Sequence, residues 1–161
     1  MAYPYRSILS PIDLDDPSLV ALGVAQRIAA DQDAILHLLH VVPRLPGFGE
    51  PDVVEDAHSV GEERARARLE EIAKLHVKGG KYQIHIAGAS TRAMAKAIVR
   101  VAAQVNADLI VLKTSGRKGL SNFILGNVTE EVVRTAPCPV LTFAPTAQEK
   151  AAQLLPPEAS G

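Results

Sequence analysis

The sequence predicts a doubly wound α/β domain. Its sheet would be parallel and five-stranded, in the order 3-2-1-4-5, with helices on both faces. Three observations predict it. Apolar runs alternate with segments of helical period along the chain, in the order β-α-β-α-β-α-β-α-β, and such alternation implies right-handed crossovers between parallel strands. Hydrophobic residues make up 47% of the 161 residues but aromatics only 4%, so the core is Val, Ile, Leu and Ala, as in parallel-sheet proteins. The run "ADLIVLKT" is unbroken in the way of a strand covered on both faces.

Strand one is "SILSPID", Ser7 to Asp13, a short apolar run closed by Pro11 and an acid. In "DPSLVALGVAQRIAADQ", Val20, Val24 and Ile28 recur at helical spacing, with Asp16 as N-cap and Pro17 at the first helical position. Strand two runs from Ala34 to Pro43. "RLPGFGEPD" reads as a loop, and residues 43–57 as a flexible connector, not a domain boundary. "HSVGEERARARLEEIAKLHV" is a charged helix with Val60, Ala67, Leu69, Ile72 and Leu75 as its apolar residues. Its outer face would carry pairs such as Glu63 with Arg66. Gly79 and Gly80 break the chain before strand three, "KYQIHIA". "STRAMAKAIVRVAAQVN" is amphipathic and can be capped by Ser90 or Thr91. Strand four is "ADLIVLKT", followed by a loop, the helix "NVTEEVVRTA" and strand five, "PVLTFA". The domain is expected over residues 1–145. Residues 146–161 form a polar, proline-bearing tail, frayed apart from a turn of helix at "KAAQLL".

Composition narrows the function. A formal charge of −1 argues against a general binder of nucleic acid or anionic membrane, which needs clustered cations. The single cysteine, Cys138, allows no disulfide within the chain and reads as a small buried residue. No apolar run serves as a signal peptide or approaches a membrane helix, so a soluble, cytoplasmic protein is expected. His37 and His40 lie three apart on one strand and face opposite sides, so they read as structural and not as joint metal ligands. His58, His76 and His85 show no ligand spacing, and no Ser-His-Asp arrangement stands out, so no metal site and no catalytic residue is expected.

In such a sheet, ligands bind beyond the carboxyl ends of the strands where the winding reverses. That place lies between strands one and four. Asp13 ends the first and Lys113 to Gly116 the second. Asp13 can accept from a ribose hydroxyl or an adenine amino group. It can equally serve as a turn carboxylate near Asp15, Asp16 and Ser18. Gly116, Gly119 and Gly126 admit close backbone approach, and the helix after Gly126 offers an anion its N-terminus. Arg117 and Lys118 add positive charge beside the loop.

From about residue 5 to residue 144 the chain resembles the universal stress proteins. "ILSPIDLDDPS" is similar to that family's opening strand, and "LHLLHVVP" to its second. The run "ADLIV…GRKGL…LGNV…APCPVL" is the most specific part. The resemblance implies an adenine nucleotide alpha hydrolase-like fold. It also implies a nucleotide motif of Gly, two residues, Gly, nine residues, then Gly with Ser or Thr. Here Gly116 and Gly126 hold the second and third places, while Lys113 and Asn127 replace the first glycine and the hydroxyl residue. The implied nucleotide site comprises Pro11, Ile12, Asp13, Val41, Lys113, Thr114, Gly116, Arg117, Gly119, Gly126, Asn127 and Val128. Its ligand would be ATP with Mg2+, held more weakly because of the two departures. Lys113 either contacts a phosphate or crowds the site and pairs with Asp13. Asn127 would cap the last helix, with Glu130 reciprocating, and can donate to a phosphate. The resemblance further implies a homodimer formed through Val140, Leu141, Thr142 and Phe143, with protein partners in stress signalling. Two functions stay open: an adenine-nucleotide module with at most slow ATP hydrolysis or self-phosphorylation, and a nucleotide-free member acting through homodimerisation and partners. The absence of GxxxxGK[ST] counts against a P-loop enzyme.

Overall fold

The computed structural model describes residues 3–14, 19–45, 51–56, 58–113 and 127–143. The strands are β1 (Ser7–Pro11), β2 (Ile35–Pro43), β3 (Val53–Val54), β4 (Lys81–Ala89), β5 (Leu109–Lys113) and β6 (Val140–Phe143). The helices are α1 (Leu19–Gln32), α2 (Val60–His76), α3 (Met94–Gln104) and α4 (Asn127–Thr135). They build one sheet in the order β3-β4-β2-β1-β5-β6. The five long strands are parallel and keep the expected order.

The sixth strand corrects the reading of residues 43–57 as loop alone. Val53 pairs with Ala89 and Val54 with Gly88, antiparallel, at the outer edge of β4. Two residues are too few to show a period of two in the sequence. What holds them is burial, since Val53 is buried in the core.

Alternation along the strands sends side chains to two cores. On one side Ile8, Leu36, Leu38, Ile86 and Val111 pack against α1 and α2. On the other Leu9, Leu39, Val41, Ile110 and Leu112 pack against α3 and α4. Alanine dominates the helix faces that meet the sheet. α1 buries Ala21, Leu22, Ala25 and Ala29, while Val20 is exposed. The buried stripe therefore lies one step on from Val20, Val24 and Ile28, because a methyl side chain lets the helix sit closest to the strands. The cap expected at Asp16 and Pro17 lies outside the described residues.

α2 buries Ala65, Leu69, Ile72 and Ala73, but Val60 and Leu75 point to solvent, against expectation. Its start is a reciprocal capping box: Ser59 N–H donates to Glu62 Oε2 (2.6 Å) and Glu62 N–H to Ser59 Oγ (3.3 Å). Glu63 does not pair with Arg66 as expected. Glu63 meets His58 at 2.7 Å and Arg66 meets Asp56 at 3.3 Å. Before α3 the chain makes a 3-10 turn over Thr91–Ala93; Ser90 stands at its N-cap without a side-chain cap bond, so neither Ser90 nor Thr91 caps the helix proper. α4 is described from Asn127, which lies within the helix, and the residues before it are outside the described residues.

Asp108 ties the starts of the two central strands together. Its carboxylate accepts from the N–H groups of Arg6 (2.8 Å) and Ser7 (3.2 Å), and Ser7 Oγ donates to Val105 O (2.8 Å). Asp108→Ala takes the acceptor from one half-buried amide, Ser7, and one exposed amide, Arg6, and is expected to cost about 1–2 kcal/mol. The readout is a lower urea midpoint at unchanged slope. Cys138 is half-buried and packs against the α3/α4 core; burial, with Asp108 adding to it, pushes its thiol pKa up and keeps it protonated. Among the described residues no helix is long and apolar enough to cross a membrane.

Candidate functional site

The winding reverses between β1 and β5. From β1 the chain proceeds outward through β2 to β4, then returns to lay β5 along the other side of β1, with Ile8 opposite Leu109 and Leu9 opposite Ile110. Beyond their carboxyl ends stand Ile12 and Asp13 on one strand and Lys113, the last residue of β5, on the other. Asp13 is exposed and Lys113 half-buried. Both residues therefore stand at the carboxyl ends of adjacent strands, where a sheet of this topology opens a crevice.

The mouth of the crevice is fixed by β2. Ile12 N–H donates to Leu39 O (2.7 Å), extending the β1–β2 ladder past Pro11. His40 Nδ1 lies 2.7 Å from Ile12 O and donates to it in the Nδ1–H tautomer. His40, expected only to be structural, therefore acts directly at the crevice by pinning the carbonyl next to Asp13. The Ile12 N–H is engaged, so a ligand arriving here meets the second lone pair of the Ile12 carbonyl and not a free amide. Val41, buried on β2, belongs to the α3/α4 core. Asn127 is exposed at the start of α4, and Val128 packs half-buried against the same core. Thr114, Gly116, Arg117, Gly119 and Gly126 lie outside the described residues.

A second polar cluster, not anticipated from the sequence, sits at the end of β2. Arg44 follows β2, its N–H bonding Ala89 O (2.8 Å). Its Nε lies 3.6 Å from Glu62 Oε1. Glu62 is 2% exposed. Burial opposes its charge, but the two Ser59 hydrogen bonds and Arg44 outweigh that and hold the carboxyl below its ordinary pKa. Ser59 and Glu62, three apart ahead of a helix, carry a sequence signal for this cap. The Arg44 contact carries none. His37 and His85 also meet, on the α3 face, and no spacing in the sequence reveals that pairing. Among the described residues no three His, Cys, Asp or Glu side chains gather as a metal site.

The family model of the universal stress protein family matches residues 4–143. The chain belongs to that family. A universal stress protein of Methanocaldococcus jannaschii is 34% identical over 142 residues, covering 85% of this chain and 81% of that one. Among solved structures, a universal stress protein from Archaeoglobus fulgidus in complex with dAMP superposes with a TM-score of 0.62 at 21% identity, covering 86% of this chain and 97% of that one. Another, a universal stress protein in complex with cAMP, gives a TM-score of 0.63 at 23% identity, covering 87% and 97%. These likenesses show that the chain shares the α/β fold of solved universal stress proteins.

Proposed function

We propose that this universal stress protein is a stress-response binding module that takes an adenine nucleotide, ATP with Mg2+, in the crevice between β1 and β5. The observation that supports the reading is that Asp13 and Lys113 stand at the carboxyl ends of two adjacent strands, where the winding reverses. Asp13 supplies acceptors for ribose hydroxyls, the Ile12 carbonyl an acceptor for an amino group, and Val41 an apolar wall. Lys113, the loop glycines and the α4 N-terminus supply positive potential for phosphates. The complexes of two structural neighbours with dAMP and cAMP support the ligand class. The function is binding and signalling from the cytoplasm, with at most slow hydrolysis or self-phosphorylation.

Calorimetric titration of nucleotide-stripped protein with Mg-ATP at near-physiological salt tests this. The expected result is micromolar binding. No heat and no shift in melting temperature at millimolar ATP would overturn it and favour action through protein partners alone. Lys113→Gly is expected to weaken ATP about tenfold by removing a cation from the phosphate end, as a lost charged hydrogen bond does. Tighter binding by Lys113→Gly would mean instead that the lysine obstructs the pocket.

The homodimer is assigned to β6. Among the described strands β6 closes the sheet with no partner on its outer side, and Leu141 on it is 37% exposed. An apolar edge of this kind is normally covered. Leu141→Lys is expected to turn a dimer into a monomer in size-exclusion chromatography with light scattering.

A further inference from the structure

We propose that His37 and His85 form a proton-operated clasp between β2 and β4, closed around one shared proton and opened by a second. His37 is opposite Gln83 and His85 opposite Leu39, so the two rings are diagonal neighbours on the same face of the sheet. His37 Nδ1 lies 2.9 Å from His85 Nε2, and the ring centroids are 5.1 Å apart. His37 is 5% exposed. With both rings neutral, one N–H points at the other's lone pair. With one ring protonated, the cation donates to the remaining lone pair and the bond persists. With both protonated, two N–H groups and two positive charges face each other at 2.9 Å, and the rings must part.

The surroundings set the direction. Burial, with the charge of His85 adding to it, lowers the His37 pKa to about 4. Burial also lowers that of His85, helped by Arg66 and opposed by Asp56. Asp56, the carboxylate that would favour a second proton, is ion-paired with Arg66 at 3.3 Å, and Arg66 itself opposes further positive charge. α3, packed over this face, turns Ala95, Ile98, Val101 and Ala102 inward and exposes Lys96 and Arg100; at its end Gln104 bonds Glu55. Both histidines have folded values below the ordinary 6.5. The clasp's contribution is therefore complete above pH 6.5 and is lost as pH falls toward about 4. His58 runs the other way. Its hydrogen bond to Glu63 raises its pKa, so its contribution is present below 6.5 and fades as pH rises.

The clasp spans the first half and middle of β2, on the side of β2 away from β1, and does not rest on the proposed nucleotide binding. Two measurements on the full chain test it. In an NMR titration of the imidazoles, His37 is expected to stay neutral to below pH 5, and its protonation to coincide with loss of hydrogen-exchange protection along β4. Independent titration of both rings near 6.5 would overturn the proposal. In urea unfolding, the wild type is expected to lose roughly tenfold more of its folded-to-unfolded ratio between pH 7.5 and 5 than His85→Gln, which can hydrogen-bond but cannot take a proton. Equal acid sensitivity of the two proteins would also overturn it. Should His85→Gln fail to fold, the wild-type titration decides alone.

Discussion

Gly88→Ala is expected to destabilise the protein by about 2–4 kcal/mol, the range for disturbing a buried charge pair. A Cβ at Gly88 would lie 2.3 Å from Arg44 Cδ and 2.5 Å from Glu62 Oε1. Arg44 can swing outward, being a third exposed, but Glu62 cannot, because its other oxygen holds Ser59 N–H. Displacing Arg44 leaves a buried carboxylate without its counter-charge. The strain would pass to the capping box of α2 and to Val54, which pairs with Gly88. Urea unfolding of Gly88→Ala and Arg44→Ala, alone and together, gives the check. The two losses are expected to be strongly non-additive, because each variant removes the same contact. Simple additivity would show that the alanine harms the strand by some other route.

Ile110→Ala is expected to cost about 3–4 kcal/mol, typical of a large-to-small change in a rigid core. Ile110, the second residue of β5, is fully buried opposite Leu9 on β1 and Val140 on β6. Its neighbours in the α3/α4 core include many alanines, which have no side-chain length with which to fill a void. Collapse of the cavity would need movement of the backbone. Calorimetric melting checks this, and a loss below about 1 kcal/mol would mean the core relaxes far more freely than its alanine content allows.

Much of the fold was legible because strand order follows from connectivity rules, and long apolar runs such as Leu109 to Leu112 leave little choice of element. The helical faces were less so. Val20, Val24 and Ile28 look like a core stripe until the alanines beside them take the sheet, because hydrophobicity alone does not say how close a helix will pack. Val53 and Val54 had no period to show. In the crevice, Asp13 and Lys113 were readable from the switch-point rule, whereas the engagement of Ile12 by Leu39 and His40 depends on the register of β1 against β2. The same holds for His37 with His85 and for Arg44 with Glu62. Each is a meeting across strands or between strand and helix, and neither register nor rotamer can be read from residue order alone.

β1 leaves the ribosome well before β5, yet it lies at the centre of the sheet with β5 on one flank. The amides of Arg6 and Ser7 find their acceptor in Asp108, more than 100 residues later. At ordinary rates of synthesis, about 5–20 residues per second, that interval is roughly 5–20 seconds. Until then the nascent chain can form only the half-sheet of β1, β2, β4 and β3, with the flank of Ile8 and Leu9 open. The crevice therefore comes into being late and all at once. Asp13 is made long before Lys113, and a chain halted before residue 108 would carry the apolar strand β1 without the strand that flanks it.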